Sequence, residues 1–349
     1  MAKQTLAVKY RPKTFEDVVE QRAIKDILTD QIKTGTFQHS YLFCGPAGCG
    51  KTTAARIFAN DINAGKGTPI EVDAASNNGV DNVREIIDGA RRKSLDSDYK
   101  VYIIDECHML STGAWNAMLK LLEEPPKTTV FIMCTTDPQK IPATILSRVQ
   151  RYNFSKISLD NIMSRLKHII NSEVDEVMTE GGPDRAYSYT EEAIQYIAKL
   201  ADGGMRDAIT MMDKCLSLNP DLTVESVVQA LGTVDYHTHF DLLLHMECDN
   251  KAAATKLIED VYNSGKDLKQ FVKQFQYFVL DVCKYKMFKD FKYVSIPALP
   301  EYEQKLEDED LELALKVLEW VRQLNSDIKW EANPKAITQT ALVLFSPEV

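Results

Sequence analysis

An α/β fold built on a parallel sheet, followed by helices to the end of the chain, is predicted by three features of the sequence. The apolar run Tyr41-Leu42-Phe43-Cys44 leads into Gly45-Pro46-Ala47-Gly48-Cys49-Gly50-Lys51-Thr52 and then into the helix-like Ala54-Ala55-Arg56-Ile57-Phe58-Ala59. Two further apolar runs, residues 101–104 and 129–134, have no polar alternation, as expected of strands buried on both faces of a parallel sheet. Beyond about residue 158 the apolar positions recur at helical spacing instead.

The bulk numbers set the frame. A chain of 349 residues exceeds one ordinary core and predicts two or three domains. Hydrophobic residues at 44% and charged residues at 26% are those of a soluble globular protein, and no apolar run is long enough to span a bilayer. Met1-Ala2-Lys3-Gln4-Thr5 is not followed by an apolar segment, so export is not expected and the cytoplasm is. The 7 cysteines form no C-x-x-C pair, which argues against a zinc knuckle or a disulfide framework and fits a reducing compartment. A net charge of −10 alone speaks against nucleic-acid binding, where Lys and Arg must neutralise phosphates. The acidity is uneven, however, being concentrated in residues 301–310, whereas the first 65 residues carry more Lys and Arg than Asp and Glu. Net charge therefore decides nothing about DNA.

Residues 7–21 read as an extended, proline-containing lead. Ile24, Ile27, Leu28 and Ile32 then mark a helix from about Arg22, which Gly35 can end. The stretch Gly45 to Thr52 fits G-x-x-x-x-G-K-[ST] in the strand, loop, helix context the motif needs. Its glycines let backbone N–H groups face a triphosphate without Cβ obstruction, Lys51 reaches the β and γ phosphates, and the Thr52 hydroxyl ligates Mg²⁺. The bland alternative is a glycine turn that only joins strand to helix. After the linker at 63–69, Ile70-Glu71-Val72-Asp73 reads as a strand, and Ala74 to Asp81 as a polar turn opening a helix. That helix start can hold a phosphate or be an ordinary N-cap, and both readings stay open. Arg91-Arg92-Lys93 reads as a solvated face.

The apolar run Val101-Tyr102-Ile103-Ile104 delivers Asp105-Glu106 to the carboxyl edge of the sheet, the Walker B arrangement. Asp105 would hold Mg²⁺ through water and Glu106 would orient the attacking water. A helix over residues 114–122 stops at Glu123-Glu124-Pro125-Pro126, and the strand at 129–134 ends in Thr135-Thr136, whose hydroxyls can sense a γ phosphate. In Ile145-Leu146-Ser147-Arg148-Val149-Gln150-Arg151 nothing local separates Arg148 from a surface arginine. Helical periodicity follows, with three or four helices over 158–232, one of them starting at Gly203-Gly204-Met205-Arg206, and a break at Leu231-Gly232-Thr233. From Asp235 on, the stripe Leu268, Phe271, Val272, Phe275, Phe278, Val279 and Val282 reads as core, and a last helix follows Ala332-Asn333-Pro334.

These motifs together carry a resemblance. Tyr10-Arg11-Pro12, Asp73-Ala74-Ala75-Ser76-Asn77 with Gly79-Val80-Asp81, Lys100 to Glu106, Leu121-Leu122-Glu123-Glu124-Pro125-Pro126, Thr144-Ile145-Leu146-Ser147-Arg148 and Gly204-Met205-Arg206-Asp207-Ala208 resemble the gamma/tau family of bacterial DNA polymerase III. That family supplies the ATPase motors of sliding-clamp loaders within the AAA+ superfamily. The resemblance runs from Tyr10 to about Phe345 and is weaker at Trp330, Asn333, Pro334 and Lys335. It implies an α/β P-loop AAA+ domain over 1–157, a small all-helical lid over 158–232 and an all-helical collar over 233–349 that joins five subunits in a ring. Arg148 resembles the arginine finger that enters the neighbouring subunit's ATP site, Thr136 sensor 1 and Arg206 sensor 2. The implied ATP-binding set is Tyr10, Arg11 and Pro12 on the adenine side, Gly45 to Thr52 with Thr53, and Arg206, with Mg²⁺ on Thr52 and Asp105.

Two departures matter. The family's four-cysteine zinc module has no counterpart where residues 63–70 bridge directly, so no zinc is expected, and Val149 stands where the family's finger motif has cysteine. Tau-type contacts with polymerase and helicase have no visible carrier, which suits a compact loader, including one encoded by a phage and working in its host's cytoplasm. The implied partners are other loader subunits, the sliding clamp and primed DNA, whose phosphates Arg84 and Lys140 would touch, and no membrane. Three alternatives compete. Asp105-Glu106-Cys107-His108 spells a D-E-x-H helicase box, but no second α/β motor follows. Another AAA+ machine, a branch-migration motor or helicase loader, would share the ATP site without the 121–126 and 144–148 context. A non-hydrolysing loader scaffold would not need the intact Lys51, Thr52, Asp105 and Glu106.

Overall fold

The computed structural model describes residues 4–94, 96–179, 187–231, 236–296 and 300–347. In chain order the elements are α1 (Leu6–Lys9), α2 (Arg22–Thr34), β1 (Ser40–Cys44), α3 (Lys51–Ile62), β2 (Ile70–Asp73), α4 (Val80–Ala90), β3 (Lys100–Asp105), α5 (Thr112–Glu123), β4 (Thr129–Thr135), α6 (Ala143–Leu146), β5 (Gln150–Asn153) and α7 (Leu159–Thr179). They continue as β6 (Ser188–Tyr189), α8 (Glu191–Leu200), α9 (Met205–Leu218), β7 (Asp221–Leu222), α10 (Val224–Leu231), α11 (Tyr236–Glu247), α12 (Lys251–Asn263), α13 (Leu268–Phe288), α14 (Pro300–Asp308), α15 (Leu311–Asp327) and α16 (Pro334–Leu344). Short 3-10 turns lie at Cys107–Met109, Pro138–Lys140 and Phe291–Tyr293. The chain packs as two compact units, one of residues up to Glu173 with Ala201–Asp213, the other of Val174–Leu200 with the residues from Lys214 onward. The break expected at 231–233 lies, past Leu231, outside the described residues.

The first unit is organised by a five-stranded parallel sheet in the order β2-β3-β4-β1-β5. Every residue of β1 and β4 is buried, which is why both read as unbroken apolar runs. Alternation sorts their side chains between two cores. Tyr41, Phe43, Ile103 and Ile132 join Leu28 and Phe58 on one face, while Leu42, Ile104, Phe131 and Met133 join Met118 and Trp115 on the other. Each such side chain contributes about 1.5–3 kcal/mol when fully buried. Because β3, β4 and β1 are adjacent and parallel, Asp105, Thr135 and Gly45 reach the same carboxyl edge, and Gly45 N–H donates to Thr135 O at 3.2 Å.

Two elements depart from the sequence expectation. Residues 150–153, for which no strand was expected, form edge strand β5 beside β1. Only Tyr152 of that strand is buried, so the alternation is too short to register. The N-terminal lead, read as extended, contains the single helical turn α1. The expected bounds of α2 hold: it begins at Arg22 and ends on Gly35 in the left-handed region at φ 66°, where glycine has no Cβ penalty.

The second unit is largely helical. The central helix α13 is capped by Asp267, whose side chain accepts from Lys269 N–H, and buries Phe271, Phe275, Phe278 and Val282 among residues of α11, α12, α14, α15 and α16. Asn333 caps α16 with Pro334 in its first turn, where a missing N–H costs nothing. One addition to the helical expectation is a two-residue parallel ladder, in which Ser188 and Tyr189 pair with Asp221 and Leu222.

Candidate nucleotide site

The phosphate loop is shaped by backbone contacts that only glycine permits. Gly48 lies at φ 70°, and a Cβ there would sit 2.9 Å from the Cα of Gly204. Met205 N–H donates to Gly48 O at 3.0 Å, so the loop docks on the start of α9 and brings Arg206 to the same cavity. Gly50, at φ 101°, precedes the first residue of α3, Lys51, whose side chain is buried with Nζ 3.0 Å from Gly45 O and 2.8 Å from Pro46 O. The next residue, Thr52, donates from Oγ1 to Asp105 Oδ2 at the end of β3, at 2.9 Å.

Glu106 follows β3 in the left-handed region at φ 46°, a conformation that costs a residue with a Cβ about 1–2 kcal/mol. Its own N–H donates to Asp105 Oδ1 at 3.0 Å, and the turn sends its carboxylate towards the end of β4. There Oε2 accepts from Thr136 Oγ1 at 2.9 Å and from Thr136 N–H at 3.4 Å. His108 Nδ1 lies 3.2 Å from the same oxygen.

One cavity of about 300 Å³ gathers most of the expected residues: Tyr10, Arg11 and Pro12, Ala47 to Thr53, Asp105, Glu106 and Arg206 all line it. Gly45 and Pro46 do not line it and instead supply the carbonyls that hold Lys51. Thr136 enters through Glu106. Arg148 is elsewhere on the unit: its Nε and Nη2 donate to Glu123 Oε1 at the end of α5, and its Nη1 donates to Thr144 O and to Ser147 Oγ. Arg84 and Lys140 are exposed and lie within ion-pair distance of Asp81 at 2.9 Å and Asp137 at 3.3 Å. Such surface pairs are worth about 0–1 kcal/mol and open readily.

The cavity also uses residues that the sequence did not single out. Arg165 of α7 lines it and donates from Nη2 to Tyr10 O at 3.1 Å. Lys9, one residue before Tyr10, pairs with Glu173 at 2.6 Å, and Leu6 N–H donates to Asp213 Oδ2 at 3.0 Å, so the N-terminal strap is tied to α7 and α9. No local signal marks these contacts, which join residues more than 150 positions apart. Thiol chemistry has no support in the site: burial pushes the Cys49 thiol up, only partly offset by the Lys51 charge, and does the same to Cys44 and Cys107.

The donor set suits a nucleoside triphosphate with Mg²⁺. A glycine cradle that a Cβ would fill, a buried ammonium, and a hydroxyl beside a carboxylate are what phosphates and a hard cation require. No helix among the described residues is long and apolar enough to cross a membrane.

The chain is similar to known proteins. A family model described as DNA polymerase III, delta subunit matches residues 68–158. Over 98% of its length the chain is 34% identical to DNA polymerase III subunit tau of Bacillus subtilis, covering 63% of that protein. The chain belongs to the DNA polymerase III tau/gamma family. Subunit tau of Escherichia coli is 34% identical over 76% of the chain and 43% of its own length, and subunit gamma of Buchnera aphidicola is 35% identical over 66% of each. The chain thus spans between about two fifths and two thirds of these family members. Among solved structures, the Thermotoga maritima RuvB Holliday junction branch migration motor aligns with a TM-score of 0.50 at 18% identity, over 74% of this chain and 86% of that one. That likeness is one of fold, the AAA+ type of α/β sheet with helices, and says nothing about branch migration. Arg206 lines the cavity, a place that no spacing argument predicts and that only the family resemblance implied.

Proposed function

We propose that this chain is the ATPase motor subunit of a DNA polymerase sliding-clamp loader, which uses ATP binding and hydrolysis to open the clamp and load it on primed DNA. The observation that carries this reading is the convergence of Lys51, Thr52, Asp105, Glu106 and Arg206 on one cavity, in a chain that aligns with tau over nearly its whole length. In it, Tyr10, Arg11 and Pro12 hold the adenine side, the loop N–H groups and Lys51 bind the phosphates, and Arg206 adds a cation from α9. Mg²⁺, held through Thr52 and Asp105, would neutralise charge developing on the β and γ phosphates. Glu106 orients the attacking water, and Thr136 ties that carboxylate to the γ-phosphate end of β4.

Arg148 lies outside its own cavity, which supports a role in trans: completing the ATP site of a neighbouring subunit and making hydrolysis depend on assembly. Residues 158–232 then act as the lid and residues 233–349 as the collar of a ring, five subunits by family analogy. DNA enters the ring through contacts of helix starts, Arg84 and Lys140 with template phosphates, which reconciles DNA binding with the acidic total. The setting is the cytoplasm.

Reconstitution with the cognate clamp, partner subunits and primed DNA tests the proposal. The wild-type assembly should load the clamp only with ATP, and its grip on primed DNA should weaken steeply as salt rises. Lys51→Ala should lose nucleotide binding and loading together. Clamp loading that proceeds with Lys51→Ala, or DNA binding insensitive to salt, would refute the reading.

A further inference from the structure

His108, the residue that completes the D-E-x-H run and that the nucleotide site does not otherwise use, touches the group on which hydrolysis depends. We propose that His108 is a positioning residue that fixes the Glu106 carboxylate for its attacking water. The inference rests on the reading of Glu106 as the water-orienting group.

The contacts on Glu106 are one-sided. Thr136 Oγ1, Thr136 N–H and His108 Nδ1 all meet Oε2, at 2.9, 3.4 and 3.2 Å. Among the described residues nothing bonds to Oε1, and Glu106 lines the cavity. One oxygen is therefore anchored and the other is left to face a reacting water, the division of labour that an oriented base requires.

His108 Nδ1 stands at ion-pair distance from Oε2, while its own hydrogen bond is with Thr135 Oγ1. His108 is itself held in place: its side chain is 11% exposed, Nδ1 lies 3.1 Å from Thr135 Oγ1, and that hydroxyl accepts from Asp137 N–H at 3.0 Å. Glu106 is thus gripped between the 3-10 turn Cys107–Met109 and the end of β4. Without the histidine a flexible glutamate on a left-handed backbone keeps only the threonine contact. Misplacing a reacting group by about 1 Å costs on the order of 10² in rate.

The test is steady-state ATP hydrolysis by the assembled complex with clamp and primed DNA, read alongside nucleotide affinity and melting temperature. His108→Leu removes the ring nitrogen beside Oε2 at similar volume and should lower kcat by about 10²-fold with KM for ATP within about twofold of wild type. His108→Asn sets an amide N–H where Nδ1 lies and should restore most of that loss. If the leucine variant does not fold, His108→Ser, too short to reach Oε2, takes its place with the same expectation. An unchanged kcat in the leucine variant, a rise in KM that accounts for the loss, or an asparagine variant as impaired as the leucine one would each overturn the inference. Glu106→Gln separates the two claims. If it abolishes hydrolysis while His108→Leu is normal, only the histidine role fails; if Glu106→Gln hydrolyses ATP at the wild-type rate, the reading of Glu106 fails and takes the histidine role with it.

Discussion

The two units bury ionisable groups in different ways. In the first, Lys51 is 6% exposed, yet it borders a cavity beside Thr52, Asp105 and Glu106, and its partners are carbonyls of a loop that phosphates can replace. In the second, His239, Asp281 and Glu309 lie within a helical core. His239 packs on the rings of Phe271, Phe275 and Phe278 with centroids 5.1, 5.8 and 5.4 Å away, and burial lowers its pKa to about 3, which keeps the imidazole neutral. Burial also pushes the Asp281 carboxyl up, although it accepts from Ser295 N–H at 2.7 Å and has Lys284 at 3.5 Å. A shifted pKa by itself therefore marks burial. It marks chemistry only where the group borders space that a substrate can enter.

That contrast can be broken. The largest effect should come from Arg148→Ala, because in the proposed reading Arg148 acts in a neighbouring subunit's site rather than in its own cavity. The assembled complex should lose about 10³–10⁵ in hydrolysis rate, equivalent to roughly 4–7 kcal/mol, while each variant chain still binds ATP. If the variant assembly hydrolyses ATP normally, the finger assignment is wrong. If ATP binding is lost instead, Arg148 serves its own site. A second variant probes the helical unit. Phe275→Ala removes a ring 1% exposed at the centre of the α13 packing and should cost about 3–5 kcal/mol. Calorimetry of the full chain should show the loss in one transition, with ATP affinity unchanged below it. A parallel drop in ATP affinity would mean that the two kinds of buried charge are not energetically separate.

What could be read from the sequence follows the same division. β1, β3 and β4 were legible because they lie at the centre of the sheet and are covered on both faces, whereas β5 was not, having only Tyr152 to bury at an edge. The loop, Lys51, Thr52, Asp105 and Glu106 were legible because each sits beside a strand end that its neighbours in sequence announce. Arg165, and the docking of Gly48 on Gly204, depend on contacts between residues 155 and 156 positions apart, which no local pattern encodes. Arg206 and Arg148 were singled out only through family resemblance. In the helical unit the stripe on α13 was plain, but the polar groups buried beside it were not, since a polar residue in a helical pattern reads as a solvated position until its neighbours are known.

Glu309 gives the smallest and most selective test of how the second unit handles its charges. Burial, and then the hydrogen bond and charge of Glu247, raise its pKa from 4.5 to about 9. Lys286 pulls the other way but does not reverse the shift. A carboxyl whose folded pKa exceeds its unfolded value stabilises the fold fully below the unfolded pKa and loses that contribution as pH rises towards the folded one. Between about pH 4.5 and 9, then, the folded chain holds a proton that the unfolded chain has released, and stability falls with pH. Glutamine cannot ionise and keeps an N–H donor for Glu247, so Glu309→Gln should melt close to wild type near pH 5 and above it by a few degrees at pH 8.5. A difference independent of pH would mean that the two carboxyls do not share a proton. Wild-type ATP affinity in the variant at both pH values would place this titration in the helical core alone, apart from the cavity where Lys51 and Asp105 meet their ligand.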